Sequence, residues 1–182
     1  MFTGSAAGKL LPPYIVYKSK KLYDTWLENG PEGAVYNQNV SGWFDAHLFE
    51  EYFFRIALSY FKKLPNEEAK VMIGDNLASH LSFKMVKTCF ENNIRFAFLP
   101  PNSTHMTQPL DVAFFAPLKN EWRKILMKWK KYNRGVLPKS LFPSLLRQTI
   151  TNLGPRSATN LISGFRTTGI YPLNRNCTQL IA

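Results

Sequence analysis

Aspartate is scarce in these 182 residues, and two of the four, Asp75 and Asp111, stand where a carboxylate has chemistry open to it. Asp75 ends the apolar run "AKVMIGDN" (69–76). Asp111 follows Gln108-Pro109-Leu110 and comes directly before Val112-Ala113-Phe114-Phe115, with thirty-five residues between the two acids. Carboxylate oxygens suit hard divalent cations, and Mg²⁺ is commonly held by one or two of them together with phosphate oxygens. Where two such ions lie about 3.5–4 Å apart, they clamp the attacking and leaving oxygens of a phosphodiester. Two plainer uses are also open. Asp111 suits the first turn of a helix, where the macrodipole makes an acid worth about 0.3–1 kcal/mol, and Asp75 suits the turn that ends its strand.

The elements around these acids read as alternating types. "YIVYK" (14–18) is strand-like after the turn signal "LPP", and "KLYDTWLENG" (21–30) reads as a short helix stopped by Gly30. Residues 44–61 carry Phe44, Leu48, Phe49, Tyr52, Phe53, Ile56 and Tyr60 at helical spacing. Strands are expected at 69–76 and 94–101, with a helix at 82–93 between them that Ser82 caps. Strand, helix and strand with short links predict a parallel crossover. Both acids then reach the carboxyl edge of one sheet, where open α/β sheets bind ligands. Helices are expected at 111–131, at about 140–152 and at 156–168. Trp122 and Trp129 fall on the apolar side of the first of these, as core residues or as stacking platforms for bases.

Charge is concentrated at one end. Residues 112–182 hold twelve bases against Glu121 alone, so the net charge of +11 belongs to this part. A field of that sign favours a polyanion, and an ordinary solvated basic face is the plainer reading. No apolar run approaches the roughly 18 residues of a membrane span. The opening "MFTGSAAGKLLPPYIVYK" lacks the charged start of a secretory signal. Cys89 and Cys177 have no metal-type spacing and read as reduced, intracellular thiols. His80 and His105 are open to metal ligation or to hydrogen bonding within loops. Asn76 either orients Asp75 or holds its turn, and Gln108 with Pro109 shapes the loop that presents Asp111.

Three stretches carry a family resemblance: "GDNLASH" (74–80), "LPPNSTHMTQPLDVAFFAPLKNEWR" (99–123) and "ISGFRTTGIYPLN" (162–174). With "FTGSAAGKLLPPYIVYK" (2–18) and "SGWFDAHLFEEYF" (41–53), they resemble the DDE superfamily endonuclease domain of pogo, Tigger and jerky-like transposases, relatives of mariner elements. The resemblance implies an α/β, RNase H-like mixed sheet flanked by helices. It also implies three acidic metal ligands and Mg²⁺ (or Mn²⁺) as cofactor for cutting and joining phosphodiesters. Asp75 matches the second acid and Asp111 the third, making both catalytic and metal-binding by resemblance. The family's first acid lies on a strand upstream of the segment matched by residues 2–18, and neither Asp24 nor Asp45 matches its motif. The expectations are therefore an N-terminally truncated domain with the first strand missing, a partial catalytic domain over 1–135, and a basic helical extension over 136–182. The implied partner is DNA, bound through 112–182 in the nucleus. A homo-oligomer or an upstream segment is expected to complete the sheet, and the chain alone is expected to be inactive; the alternatives are a non-catalytic nuclear DNA-binding protein domesticated from a transposase and a non-functional element fragment.

Overall fold

The computed structural model describes residues 1–65, 67–74, 81–100 and 102–177 of the chain. It is a mixed α/β fold, and its described strands form two small parallel sheets. In the first, β1 (Tyr14–Lys18) pairs with β2 (Val35–Asn39); in the second, β3 (Lys70–Gly74) pairs with β4 (Ile94–Phe98). The β3–β4 register sets Lys70 beside Ile94 and Gly74 beside Phe98. With α3 (Phe83–Glu91) between these strands, the expected strand–helix–strand unit is present. Ser82 caps α3 as its position suggested, its Oγ accepting from Met85 N at 3.2 Å.

One helical layer ties the two sheets together. It runs as α1 (Ala46–Tyr52), a π-helical turn (Phe53–Ala57) and α2 (Leu58–Phe61). Asp45 opens it as N-cap, its Oδ1 accepting from Leu48 N at 2.9 Å. Tyr52 and Phe53 are fully buried in a core shared by Tyr14 and Val35 of the first sheet and Ile94 of the second, with Met72 and Phe96 packed against it. Period-2 alternation buries β1 on both sides. Tyr14 and Val16 face this core, while Ile15 and Tyr17 join Leu146 on the opposite side.

Two expectations fail in the N-terminal third. Residues 21–30 form only a 3₁₀ turn at Asp24–Trp26, because Asn29 adopts a left-handed φ of 58° and Pro31 follows Gly30. Leu22 and Trp26 pack beneath Tyr17 and Phe142 instead of extending a helix. Strand β2 was not expected at all. Its sequence, VYNQN, is rich in residues disfavoured in strands, and pairing with β1 rather than intrinsic propensity makes it extended.

The C-terminal half is helical: α4 (Thr104–Thr107), a π-helical turn (Leu110–Phe114), α5 (Phe115–Tyr132), α6 (Phe142–Leu153) and α7 (Pro155–Thr167). The helix expected over 111–131 is therefore present, wider-wound in its first turn. Leu110, Phe114, Leu118, Leu153 and Leu161 form its core, and Phe2 packs against Phe114 with the rings tilted and their centroids 5.9 Å apart. Trp122 meets Phe142 edge-on at 5.5 Å, which makes it a packing residue between α5 and α6.

Candidate active site

The loop from 99 to 111 leaves the sheet at the edge where β3 ends. Leu99 N donates to Gly74 O at 3.1 Å, so the chains stay paired for one residue beyond the strands. Asp75 follows Gly74 directly; Asp75, Asn76 and His80 lie outside the described residues. The proline loop then curls into α4, and its hydroxyls brace it. Ser103 Oγ donates to Pro100 O at 2.7 Å and lies 2.8 Å from Thr107 Oγ1, which itself donates to Ser103 O at 2.9 Å. These bonds satisfy polar groups of a tight turn that would otherwise be buried unpaired.

Pro109 starts the next helix with φ −53° and ψ −37°. Its ring is preset for that conformation, and the missing N–H is one that a helix start leaves unbonded anyway. The amides of Asp111 and Val112 both donate to Gln108 O, at 3.0 and 3.1 Å. Leu110 and Phe114 are drawn into the core, and Asp111 is exposed on the outer side of the same turn. The carboxylate thus sits in the first turn of the π-helical segment, where the helix dipole favours it and where it also meets solvent. From the far side, Gly164 of α7 presses on the Pro109 backbone: a Cβ there would stand 2.3 Å from Pro109 O. No sequence signal marked Gly164 for this role, although "ISGFR" places a small residue on the buried face of a helix.

Three positions before Asp111, the side-chain oxygen of Gln108 is buried without a hydrogen-bond partner among the described residues, at a cost of about 1–3 kcal/mol for such a group. His105 is exposed on α4. Among the described residues, no group of three or more His, Cys, Asp or Glu side chains is placed to hold a metal ion. Asp111 is thus an exposed carboxylate that belongs to no such group among the described residues. Nucleophilic cysteine chemistry finds no support here either. Cys89 is a buried free thiol whose pKa burial pushes up to about 11, leaving almost no thiolate near neutral pH.

A family model described as "DDE superfamily endonuclease" matches residues 2–159, from the start of the described fold into α7. The chain belongs to this family. DDE-type endonucleases generally act on DNA with divalent metals. The DDE domain is also 27% identical over 174 residues to a protein of Cochliobolus lunatus named "MFS-type transporter clz9". The match covers 93% of this chain and 18% of that protein. No helix among the described residues is long and apolar enough to cross a membrane. No solved structure matches the DDE domain.

Electrostatics divide the domain. All twelve bases of 112–182 are solvent-exposed. On α5, Lys119, Arg123 and Lys130 fall along one line and Lys124, Lys128 and Lys131 along a second. Glu121, the lone acid, is nearly buried beneath them. It accepts from Lys124 Nζ at 2.9 Å and from Arg156 at 3.5 Å, and so ties α5 to α7.

Proposed function

We propose that this is a transposase-derived DDE module that binds DNA and whose metal site is built on Asp75 and Asp111. The observation that carries the reading is the Pro109-led turn that holds Asp111 exposed in its first turn, on the segment that follows β4, together with the family match. The Gln108 oxygen, which has no partner among the described residues, supports it, since the waters of a hydrated cation are donors. Mg²⁺ or Mn²⁺ would supply Lewis-acid stabilisation of a phosphodiester under attack. The twelve exposed bases of 112–182 provide the field that holds the DNA backbone. In the same reading the sheet is RNase H-like, the affinity is with the pogo, Tigger and jerky branch, and the site of action is the nucleus.

A complete site in this branch needs a third acid, and the two other aspartates are placed for different work. Asp45 caps α1, and Asp24 sits on the exposed 3₁₀ turn. The 182 residues taken by themselves should therefore bind DNA without cutting it. The third carboxylate would come from a strand that another segment or a second copy adds to the divided sheet. Incubation of the purified chain with supercoiled plasmid and Mg²⁺ or Mn²⁺ should leave the plasmid intact. Metal-dependent nicking that disappears in Asp75→Asn would overturn the reading of an incomplete site.

A further inference from the structure

The turn after β2 carries a second feature that the active-site reading does not use. Residues 40–43 connect β2 to the α1 cap, and the Asn39 side chain organises them. Its Oδ1 accepts from Gly42 N and, at 3.2 Å, from Ser41 Oγ; its Nδ2 donates to Trp43 O at 2.7 Å and to Asp45 Oδ2 at 3.2 Å. Ser41 Oγ also accepts from Trp43 N at 3.1 Å. Gly42 has a φ of 76° and lies against Lys18, so that a Cβ there would stand 2.8 Å from Lys18 Cβ. A turn this heavily bonded is rigid, yet it holds Trp43 79% exposed and Val40 68% exposed. An indole kept out of the core by a preorganised turn is placed to be covered by something else.

The surroundings say what kind of partner. Lys18 touches the turn, and Lys20 and Lys21 follow it on the exposed segment after β1. Lys139, from beyond α5, reaches back to donate to Lys18 O at 2.7 Å and lies over the Trp26 ring at 4.6 Å. Lys18 thus lies against the turn that carries the exposed aromatic, Lys139 is tied to Lys18, and Lys20 and Lys21 follow Lys18 in the chain. Of the nearby acids, Asp45 is engaged by Leu48 N and Asn39, and Asp24 lies on the adjoining 3₁₀ turn. Lysines that track a backbone beside an aromatic platform are the recognition chemistry of single-stranded nucleic acid, whose base faces are open to stacking. In a duplex those faces are already stacked.

We infer that the Asn39–Trp43 turn with Lys18, Lys20, Lys21 and Lys139 is a contact site for single-stranded DNA, in which Trp43 stacks on an unpaired base. This rests on the domain being a DNA-binding one. The test is fluorescence anisotropy at low salt with a labelled oligo-dT strand and a labelled duplex. The proteins are the wild type, Trp43→Ala, Trp43→Phe and the double variant Lys20→Gln/Lys21→Gln, with thermal unfolding as the fold control. Trp43→Ala should weaken oligo-dT binding by about tenfold, in the range of one lost base–aromatic stack, and leave duplex binding within about twofold. Trp43→Phe should retain most of the single-strand affinity. The lysine variant should lower the steepness of the salt dependence on oligo-dT by about 1.4, two phosphate contacts' worth. Unchanged oligo-dT affinity in Trp43→Ala overturns the stacking site while duplex binding by the wild type stands. Failure of the wild type to bind either oligonucleotide overturns the DNA-binding reading and this inference with it.

Discussion

Gly164 on α7 and Pro109 at the head of the Asp111 turn are in backbone contact, with 2.3 Å separating the Pro109 oxygen from the position a Cβ at Gly164 would take. That contact links the helical C-terminal half to the carboxylate. A carbonyl cannot rotate out of the way as a side-chain tip can, so Gly164→Ala must displace α7 or the turn. The expected loss is about 1–3 kcal/mol, the usual range for overpacking, seen as a lower Tm in thermal unfolding. An alanine variant as stable as the wild type would show that the two elements adjust freely.

Glu121 supplies a pH dependence whose sign is fixed. The Lys124 hydrogen bond, helped by the charge of Arg156, holds its carboxyl below the ordinary value of 4.5. A carboxylate depressed in the folded state stabilises it above that ordinary value, and the contribution is lost as pH falls through the folded pKa. Between about pH 5.5 and about pH 3.5 the wild type should therefore lose more Tm than Glu121→Gln does. Identical losses in the two proteins would mean that the α5–α7 bridge contributes nothing.

Most of the scaffold was legible where periodicity and capping agree. The apolar stripe over 44–61, the Ser82 cap and the paired strands around α3 follow from side-chain spacing that tertiary packing reinforces. The failures have one cause: β2 and the 3₁₀ turn at Asp24–Trp26 are set by their neighbours. Val35–Asn39 extends because β1 offers it partners, and Asn29 and Pro31 close off a helix that the composition of 21–30 allows. Gln-Pro-Leu-Asp is a specific motif, and the fold places its aspartate exposed in the first turn of the π-helical segment. Gly164 and the Asn39–Trp43 turn were not legible, because each matters through a contact far away in sequence, Gly164 with Pro109 and Gly42 with Lys18. Lys18, Lys20 and Lys21 also stand in a part of the sequence whose acids balance its bases, so net charge does not mark them.

Duplex binding should be weak, indifferent to sequence and steeply dependent on salt, as counterion release requires. Replacing Lys128 and Lys131, exposed on one line of α5, by Gln should reduce the slope of log affinity against log salt by about 1.8. A titration at several salt concentrations measures this directly. Binding that ignores salt would argue against the helical basic face as the contact.

Shared metal ligation by Asp75 and Asp111 is tested most directly by calorimetric titration of Mn²⁺ into the wild type, Asp75→Asn and Asp111→Asn, each verified as folded. If the two carboxylates hold one ion, the wild type binds Mn²⁺ and each single substitution weakens that binding by about tenfold or more, in keeping with the loss of one of few charged oxygen ligands. The double variant should then be little worse than either single one. Mn²⁺ binding of equal strength in all three proteins would contradict a site built on these two acids.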